Sequence, residues 1–248
     1  MLPRALIQEE GMGRLCRESR ETHEVLLARG VQVTLFTRKS MMRGRCAVAP
    51  TTLVVGDIDV VERALAQLGR EAPPDRSYPE ELWPFLHRRV WPSTLEEVRT
   101  RVSESHAGAV FVKPRDRLKR FSGRVVSDAS SLAPLAGHSG RTPVWCAEPV
   151  SFVSEHRVYV IDGAIVGVHG YAGEGVAAPD RDVIARALAA WRDSGRAPRG
   201  YGADFGVLTD GRTALVELND GYGLGNYGLA AERYAELCVA RWEELAGR

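Results

Sequence analysis

Residues 215–228, LVELNDGYGLGNYG, contain the pattern on which the interpretation of the chain depends. The run from Val216 to Asn219 alternates apolar and polar side chains, as a half-buried β-strand does. Because successive strand residues point to opposite faces, Glu217 and Asn219 lie on the same face. A glycine-rich loop follows at once. The segment therefore predicts a strand with a polar face that leads into a loop, which permits close backbone approach.

A second strand is predicted directly upstream, within ADFGVLTDGRTALVELND (203–220). Two alternating runs flank Asp210-Gly211, which is a strong hairpin signal. A two-residue turn there pairs Thr209 with Arg212 and sets Asp204 directly opposite Glu217. On the other face the same register gives apolar pairs that face the core: Phe205–Val216, Val207–Ala214 and Ala203–Leu218.

Two interpretations of the polar face remain open. Carboxylates placed directly opposite each other repel unless a cation lies between them. Asp204, Glu217 and the amide oxygen of Asn219 are hard ligands, which suit magnesium or manganese better than zinc. A solvated outer face of an edge hairpin would carry the same charged residues.

The composition argues against some classes of binding partner but does not identify a function. The 248 residues are 44% hydrophobic and 26% charged, and the net charge of +1 gives no general attraction to nucleic acid or anionic membranes. No apolar run is long enough to span a membrane, no signal peptide is recognised, and the four cysteines lack metal or redox spacing. We expect a soluble, cytoplasmic protein without a membrane or nucleic-acid partner, and the oligomeric state stays open.

The predicted elements divide the chain in two. Strands and helices alternate over roughly the first 70 residues, and the proline-rich REAPPDRSYPEELWPFL (70–86) follows. We expect a small α/β domain at 1–76 and a second domain at 77–248, with a smaller subdomain at about 93–148 and a metal-binding subdomain at 149–248. GMGRLCRES (11–19) is either a substrate loop or, as the pattern favours, a helix entrance. WPSTLEEVRTRV (91–102) predicts a helix capped by Ser93 or Thr94.

A basic segment, FVKPRDRLKRFSGR (111–124), combines a strand end with a glycine loop. Lys113 ends the apolar strand, and Lys119, Ser122 and Gly123 lie in the loop. Such a lysine and loop can hold phosphate oxygens by charge and by backbone N–H groups. A solvated basic loop would have the same sequence, and no P-loop signature is present.

A second hairpin is predicted around Asp162-Gly163, within HRVYVIDGAIVGVHGY (156–171). Its alternation places Glu155, Arg157 and Tyr159 on one face. Glu155 and Arg157 are either an exposed pair that contributes little to stability or a set that contacts ribose and phosphate.

Five features of the sequence, in their order along the chain, resemble the ATP-grasp fold. They are the strand lysine, the glycine loop with its second lysine, EPV, EHRVYVIDG and the acidic VELND. FVKPRDRLKRFSGRVV and LNDGYGLGNYGL are similar to the ATP-grasp clade that is typified by one arginine and two lysines. The resemblance covers about residues 78–248. It implies an α+β fold in which two subdomains hold ATP between them, preceded here by the small α/β domain.

The resemblance also implies roles for residues. Lys113 and Lys119 would contact the nucleotide phosphates, under a flexible loop that contains Ser122 and Gly123. Glu148 and Val150 would line the adenine, and Glu155 would meet the ribose.

For the reaction centre, the resemblance implies that Asp204, Glu217 and Asn219 hold magnesium, with manganese as an alternative. Arg157 would face the reacting phosphate or the acyl intermediate, and Lys119 would also stabilise the transferring phosphoryl group. Asn226 and Tyr227 are candidate contacts to the acceptor substrate. A plain flexible loop is the alternative explanation of the glycines around them.

The implied chemistry is ATP-dependent activation of a carboxylate as an acylphosphate, followed by attack of an amine. Such a reaction needs charge stabilisation rather than a side-chain nucleophile. The expected substrates are therefore a small carboxylate and an amine. A phosphotransferase of the same fold and a nucleotide-binding regulatory module with little turnover are the alternatives.

Overall fold

The structure, a computed structural model, describes residues 2–104, 108–115, 120–173 and 177–247. Three β-sheets organise this part of the chain. The first sheet is parallel, and the second and third are antiparallel. The mixture of a parallel unit and two antiparallel sheets agrees with the predicted α+β class.

The first sheet has the strand order β2–β1–β3. Its strands and helices alternate along the chain: β1 (Arg4–Glu9), α1 (Arg17–Ala28), β2 (Gln32–Thr37), α2 (Arg38–Met42), β3 (Thr52–Val55) and α3 (Ile58–Gln67). Parallel neighbours cannot be joined by a hairpin, so α1 and α2 lie in the crossover connections. The predicted α/β unit is confirmed, and the segment 11–19 does lead into a helix. The domain boundary at residue 76 stays a prediction.

The second sheet has the order β4–β7–β5–β6. After a short 3₁₀ helix (Glu80–Phe85), its elements are β4 (Val90–Thr94), α4 (Leu95–Ser103), β5 (Val110–Pro114), β6 (Arg124–Val126), α5 (Ala129–Leu132), a 3₁₀ turn (Ala133–Leu135) and β7 (Pro143–Ala147). The predicted helix and its cap are confirmed, since α4 begins directly after Thr94, and residues 90–94 before it pair with β7 as a strand. Thr94 is the N-cap, in a capping box with Glu97.

The third sheet has the order β11–β10–β8–β9. Its elements are β8 (Phe152–Ile161), β9 (Ala164–Gly173), α6 (Arg181–Asp193), β10 (Gly200–Leu208), β11 (Thr213–Asp220) and α7 (Ala231–Leu245). Trp191 of α6 packs with Phe205 of β10 in a buried apolar cluster. Leu237 of α7 packs with Tyr159 of β8 in another. The two helices therefore cover different parts of this sheet.

The turn between β10 and β11 differs from the prediction. It contains three residues, 209–211, and the Leu208 N–H donates to the Arg212 carbonyl at 2.8 Å. Gly211 has a φ of +85°, as the last position of a three-residue hairpin loop commonly requires. The predicted two-residue turn was therefore wrong. Near the turn the pairs are shifted by one residue: Phe205 faces Leu215, and Val207 faces Thr213.

A bulge at Val216 restores the predicted register farther along β11. The pairing shifts between Asp204 and Phe205, so that Asp204 lies opposite Glu217 and Ala203 opposite Leu218. Val216 consequently lines a cleft instead of facing the core as predicted. The sequence correctly predicted that Asp204 lies opposite Glu217, because the extra residue in the turn and the extra residue in β11 compensate for each other.

The hairpin of β8 and β9 has the predicted two-residue turn, since Ile161 pairs with Ala164. Two irregularities then shift the pairing, so that Arg157 lies opposite His169. Glu155 and Arg157 line the same cleft, and the Tyr159 hydroxyl and the Arg157 guanidinium both donate to the Gly225 carbonyl. The predicted common face is confirmed.

The C-terminal helix joins the first sheet to the third. Trp242 and Ala246 pack in the buried cluster of the first sheet. Arg241, 3% exposed, binds the carboxylate of Asp220 at the end of β11 through two hydrogen bonds, at 2.6 and 2.5 Å. A bidentate contact of this kind fixes the helix relative to the strand from which the glycine-rich loop begins.

The helices do not resemble membrane spans. The longest described helix, α7, has 15 residues, whereas a span needs about 20 apolar residues. Within the described ranges, no helix is long and apolar enough to cross a bilayer.

Replacing Arg241 with alanine should lower the free energy of unfolding by about 3 kcal/mol, because it leaves the Asp220 carboxylate in a largely dry environment without its partner. Urea unfolding followed by tryptophan fluorescence measures the change. Arg233→Ala, which removes an exposed pair on the same helix, should cost less than about 1 kcal/mol. Equal costs for the two variants would contradict the structural role assigned to Arg241.

Candidate functional site

The acidic pair and the amide converge at one point on the third sheet. The Asn219 Nδ2 donates to Asp204 Oδ2 at 3.0 Å and to Glu217 Oε1 at 3.3 Å. Asp204 is 2% exposed. Burial raises the pKa of Asp204, although Arg157 acts in the opposite direction. The β10–β11 register thus creates a concentrated acidic site that is withdrawn from water.

Arg157 neutralises the Asp204 side of this site. Its Nε and Nη2 bind Asp204 Oδ1 and Oδ2 at 2.8 and 2.7 Å. The guanidinium carbon lies 4.8 Å from the centre of the Tyr227 ring. Burial lowers the pKa of Arg157, but the hydrogen bonds and charge of Asp204 outweigh it, and the net shift is upward. The guanidinium is therefore a permanent positive charge at the cleft wall.

Lys113 reaches the Glu217 side of the site from β5 of the second sheet. Its Nζ donates to Glu217 Oε2 and, at 3.0 Å, to the Ser77 hydroxyl. Burial lowers the pKa of Lys113, yet the attraction of Glu217 more than offsets this effect and holds the pKa above its ordinary value. Burial also acts to raise the pKa of Glu217, and Lys113 reverses the shift, so the net pKa is lowered. This ion pair links the two antiparallel sheets.

The two sheets enclose a cleft of about 950 Å³. Most of the residues proposed from the sequence line it: Lys113, Ser122, Gly123, Glu148, Val150, Glu155, Arg157, Glu217, Asn219 and Tyr227. The cleft carries both signs of charge, with the basic groups of Lys113 and Arg157 close to the carboxylates. It is large enough for a nucleotide, which is the size of ligand that such clefts accommodate.

The glycine loop approaches the cleft closely. A Cβ at Gly123 would lie 2.6 Å from the Phe111 ring, so the backbone passes this ring only because the residue is glycine. Glu148 accepts a hydrogen bond from the Arg89 N–H at 2.9 Å, beside the exposed Val150. Lys119 lies outside the described residues, and its predicted phosphate contact stays a prediction.

Two predicted site residues do not line the cleft. Asp204 lies beneath Arg157, as described above. Asn226 is 3% exposed; its Nδ2 donates to Glu21 of α1 at 2.7 Å, and its Oδ1 accepts from the Leu229 N–H at 2.8 Å. The predicted substrate contact by Asn226 is therefore corrected, because its amide is used to hold the glycine-rich loop against α1.

Three residues in the site were missed by the sequence analysis. Arg88 donates to the carbonyls of Leu215 and Val216, both at 2.8 Å, beside the bulge. The Tyr171 hydroxyl donates to Glu155 at 2.8 Å, and its ring stacks on Tyr227 with centroids 4.7 Å apart. Ser77 accepts from Lys113. Of these three residues, only Arg88 could have been suspected from the sequence, because Arg88 and Arg89 are adjacent charges after an apolar segment.

The donor set fits a hard divalent cation. Asn219 Nδ2 is within 3.3 Å of both carboxylates, so rotating the amide would direct its oxygen to the point that they share. Two carboxylates and one amide oxygen are hard ligands of the kind that Mg²⁺ prefers. In the described part of the chain, no three His, Cys, Asp or Glu residues form an alternative metal cluster.

The chain resembles known proteins in sequence and in fold. The sequence model of an ATP-grasp domain family, the second family of its clade, matches residues 85–237. None of the curated proteins matches the chain.

Solved structures share the fold at low sequence identity. D-cycloserine synthetase DcsG is 16% identical, with a TM-score of 0.63 over 96% of this chain and 99% of that chain. The ATP-grasp ligase PsnB, solved with a minimal precursor, is 16% identical, with a TM-score of 0.55 over 97% and 100%. The macrocyclase MdnC from Microcystis aeruginosa MRC, bound with the precursor peptide MdnA, is 14% identical, with a TM-score of 0.54 over 95% and 99%. Because the family match spans well over half of its length, the chain belongs to the ATP-grasp domain family.

Proposed function

We propose that the protein is an ATP- and Mg²⁺-dependent carboxylate–amine ligase, with an amino acid or peptide as substrate, that releases ADP. The observation that carries the proposal is the convergence of Lys113, Arg157, Glu217 and Asn219 in one cleft between two sheets, with Asp204 directly beneath Arg157. Transfer of a phosphoryl group requires positioned cations and metal ligands more than it requires a nucleophile. This arrangement of charges meets that requirement.

In this proposal the nucleotide binds along the cleft. Lys113 and Lys119 bind phosphate oxygens, and Ser122 and Gly123 contribute backbone N–H groups. Glu148 and Val150 lie beside the base, and Glu155 accepts from the ribose hydroxyls. The one arginine and two lysines that typify the clade would then be Arg157, Lys113 and Lys119.

Asp204, Glu217 and Asn219 would hold Mg²⁺, with Mn²⁺ as an alternative. The metal supplies positive charge to the phosphate oxygens when bound. Lys113, which contacts Glu217 in the unliganded protein, would bind a phosphate oxygen of the nucleotide. In the unliganded protein its ammonium group is charged, because Glu217 holds the pKa of Lys113 above the ordinary value.

Arg157 lies at the junction between nucleotide and acyl substrate. The γ-phosphoryl group of ATP passes to a substrate carboxylate, and ADP leaves. A neutral amine then bonds to the acyl carbon, the bond from that carbon to the phosphate oxygen breaks, and phosphate takes the N–H proton. Arg157 stabilises the negative charge that develops on the acyl oxygen and on the leaving phosphate.

Glu217→Gln should abolish the magnesium-dependent part of ATP-analogue binding. A native-state ligand at a hundredfold its Kd stabilises by about 2.7 kcal/mol, which should raise the Tm of the wild type by roughly 5–10 °C. Thermal unfolding with the analogue alone, Mg²⁺ alone and both together measures the effect. Asp210→Asn, at the exposed far end of the same hairpin, is the control and should keep the wild-type shift.

No Tm shift of the wild type at saturating nucleotide and Mg²⁺ would rule out the proposal. A shift in the wild type justifies an assay of ADP release with a panel of amino acids and amines. ADP release that needs a carboxylate but no amine, and that leaves a stable phosphorylated product, would favour a phosphotransferase.

Arg157→Lys should lower kcat of the best substrate pair by about 10²–10³-fold and leave the shift by analogue and Mg²⁺ largely intact. Lysine keeps the charge but cannot reproduce the bidentate contact with Asp204 or the planar contact with the acyl oxygen. Steady-state ADP release measures the change. Arg192→Lys, in an exposed pair, is the control. Unchanged turnover in Arg157→Lys would assign the residue a structural role only.

A further inference from the structure

The segment 75–78, which connects the first sheet to the second along the chain, is built into the wall of the ATP cleft. The Ser77 carbonyl accepts from the Leu218 N–H at 3.0 Å. Leu218 lies in β11 between Glu217 and Asn219, the two residues of that strand that are proposed to bind the metal. Ser77 itself is 2% exposed. The segment is therefore buried against the strand that carries these two side chains.

The Ser77 hydroxyl links Lys113 to a carboxylate. It accepts from the Lys113 Nζ at 3.0 Å and donates to Asp75 Oδ1 at 2.6 Å. The Ser77 N–H donates to the same Asp75 oxygen at 3.0 Å. Because the single hydroxyl hydrogen is directed at Asp75, the lone pairs of the hydroxyl oxygen are left for the ammonium group. Asp75 therefore keeps Ser77 oriented as an acceptor for Lys113.

The other oxygen of Asp75 is bound by the strand next to Lys113. Asp75 Oδ2 accepts from the Trp145 Nε1 at 2.5 Å, and Trp145 lies in β7 directly opposite Lys113 in β5. The centre of the Tyr78 ring is 5.1 Å from the Lys113 Nζ and 5.4 Å from the centre of the Trp145 ring. The segment is thus held by the same two strands that carry and flank the lysine, which fixes the hydroxyl relative to the ammonium group.

Lys113 has two acceptors in the protein, and they differ in their proposed roles. An ammonium group carries three hydrogens. Glu217 and Ser77 accept two of them, and Lys113 lines the cleft, where the third can reach a phosphate oxygen. Because the three N–H bonds are arranged tetrahedrally, two fixed contacts set the direction of the third. Glu217 is also a proposed metal ligand, whereas Ser77 is not, so the contact with Ser77 does not compete with the metal.

We propose that Ser77 is a positioning residue for phosphate binding: its hydroxyl, oriented by Asp75, directs the Lys113 ammonium group at the phosphate oxygens of the nucleotide. The inference rests on the proposed ATP-dependent function and adds to it a residue that lies outside the strands of the cleft. A hydrogen bond from a charged donor is about twice as strong as a neutral one, so this contact is strong enough to orient the lysine.

Ser77→Ala removes the acceptor and should weaken binding of a non-hydrolysable ATP analogue with Mg²⁺ about tenfold or more, because a hydrogen bond to a charged group is lost. Adenosine, which has no phosphate, should keep its wild-type Kd. Calorimetric titration measures the Kd of the analogue, and displacement of the analogue measures the Kd of adenosine. A residue that only stabilises the cleft would affect both ligands equally.

Two further variants isolate the hydroxyl. Ser77→Thr keeps it and should bind the analogue as the wild type does. Ser154→Ala is the matched control, since it removes another buried hydroxyl, which donates to the Ala177 carbonyl at 2.6 Å, and it should leave the Kd of the analogue unchanged. Asp75→Ala leaves the Ser77 hydroxyl free to rotate and should weaken binding of the analogue in the same direction as Ser77→Ala.

An unchanged Kd of the analogue in Ser77→Ala would overturn the positioning role, as would an equal loss of adenosine binding or an equal loss in Ser77→Thr. These outcomes leave the proposed function standing, because the wild type still binds the analogue with Mg²⁺. Absence of analogue binding by the wild type would overturn the proposed function itself, and the role of Ser77 with it.

Discussion

The ion pair between Lys113 and Glu217 is the contact on which the arrangement of the cleft depends. It joins a strand of the second sheet to a strand of the third, and both groups lie largely out of water. Two charges are tolerated in such a place because each neutralises the other, and the loss of either would leave an uncompensated charge. The same pair keeps a positive group beside a carboxylate that is proposed to bind the metal. The contact is therefore required both for the stability of the cleft and for the proposed chemistry.

A second buried pair, Arg157 with Asp204, extends this network along the third sheet. Asn219 connects the two pairs through its amide, which contacts both carboxylates, while each carboxylate binds one cation on its other side. The balance is local, and the chain as a whole is nearly neutral. A nucleotide with its metal brings both signs of charge, and it can therefore enter by exchanging contacts instead of creating unpaired charges.

The glycine-rich loop connects this network with the rest of the molecule. Gly223, with a φ of +65°, passes so close to Ile58 of α3 that a Cβ would lie 2.6 Å from its side chain. Arg241 holds the strand before the loop, and Asn226 holds the loop against α1. The glycines therefore serve close packing.

Local pattern was sufficient for much of this architecture. Alternation placed Glu217 and Asn219 on one face, Glu155 and Arg157 on another, and the strand–helix repeats identified the parallel unit, because periodicity depends on near neighbours. The sequence by itself thus determined the elements and most of the residues of the cleft. It did not determine the Val216 bulge, the use of Asn226 inside the protein or the contact of Arg88 with β11. Those features were decided by the tertiary structure, because each depends on contacts between backbone groups or charges from distant segments. The local periodicity of the sequence does not specify such contacts.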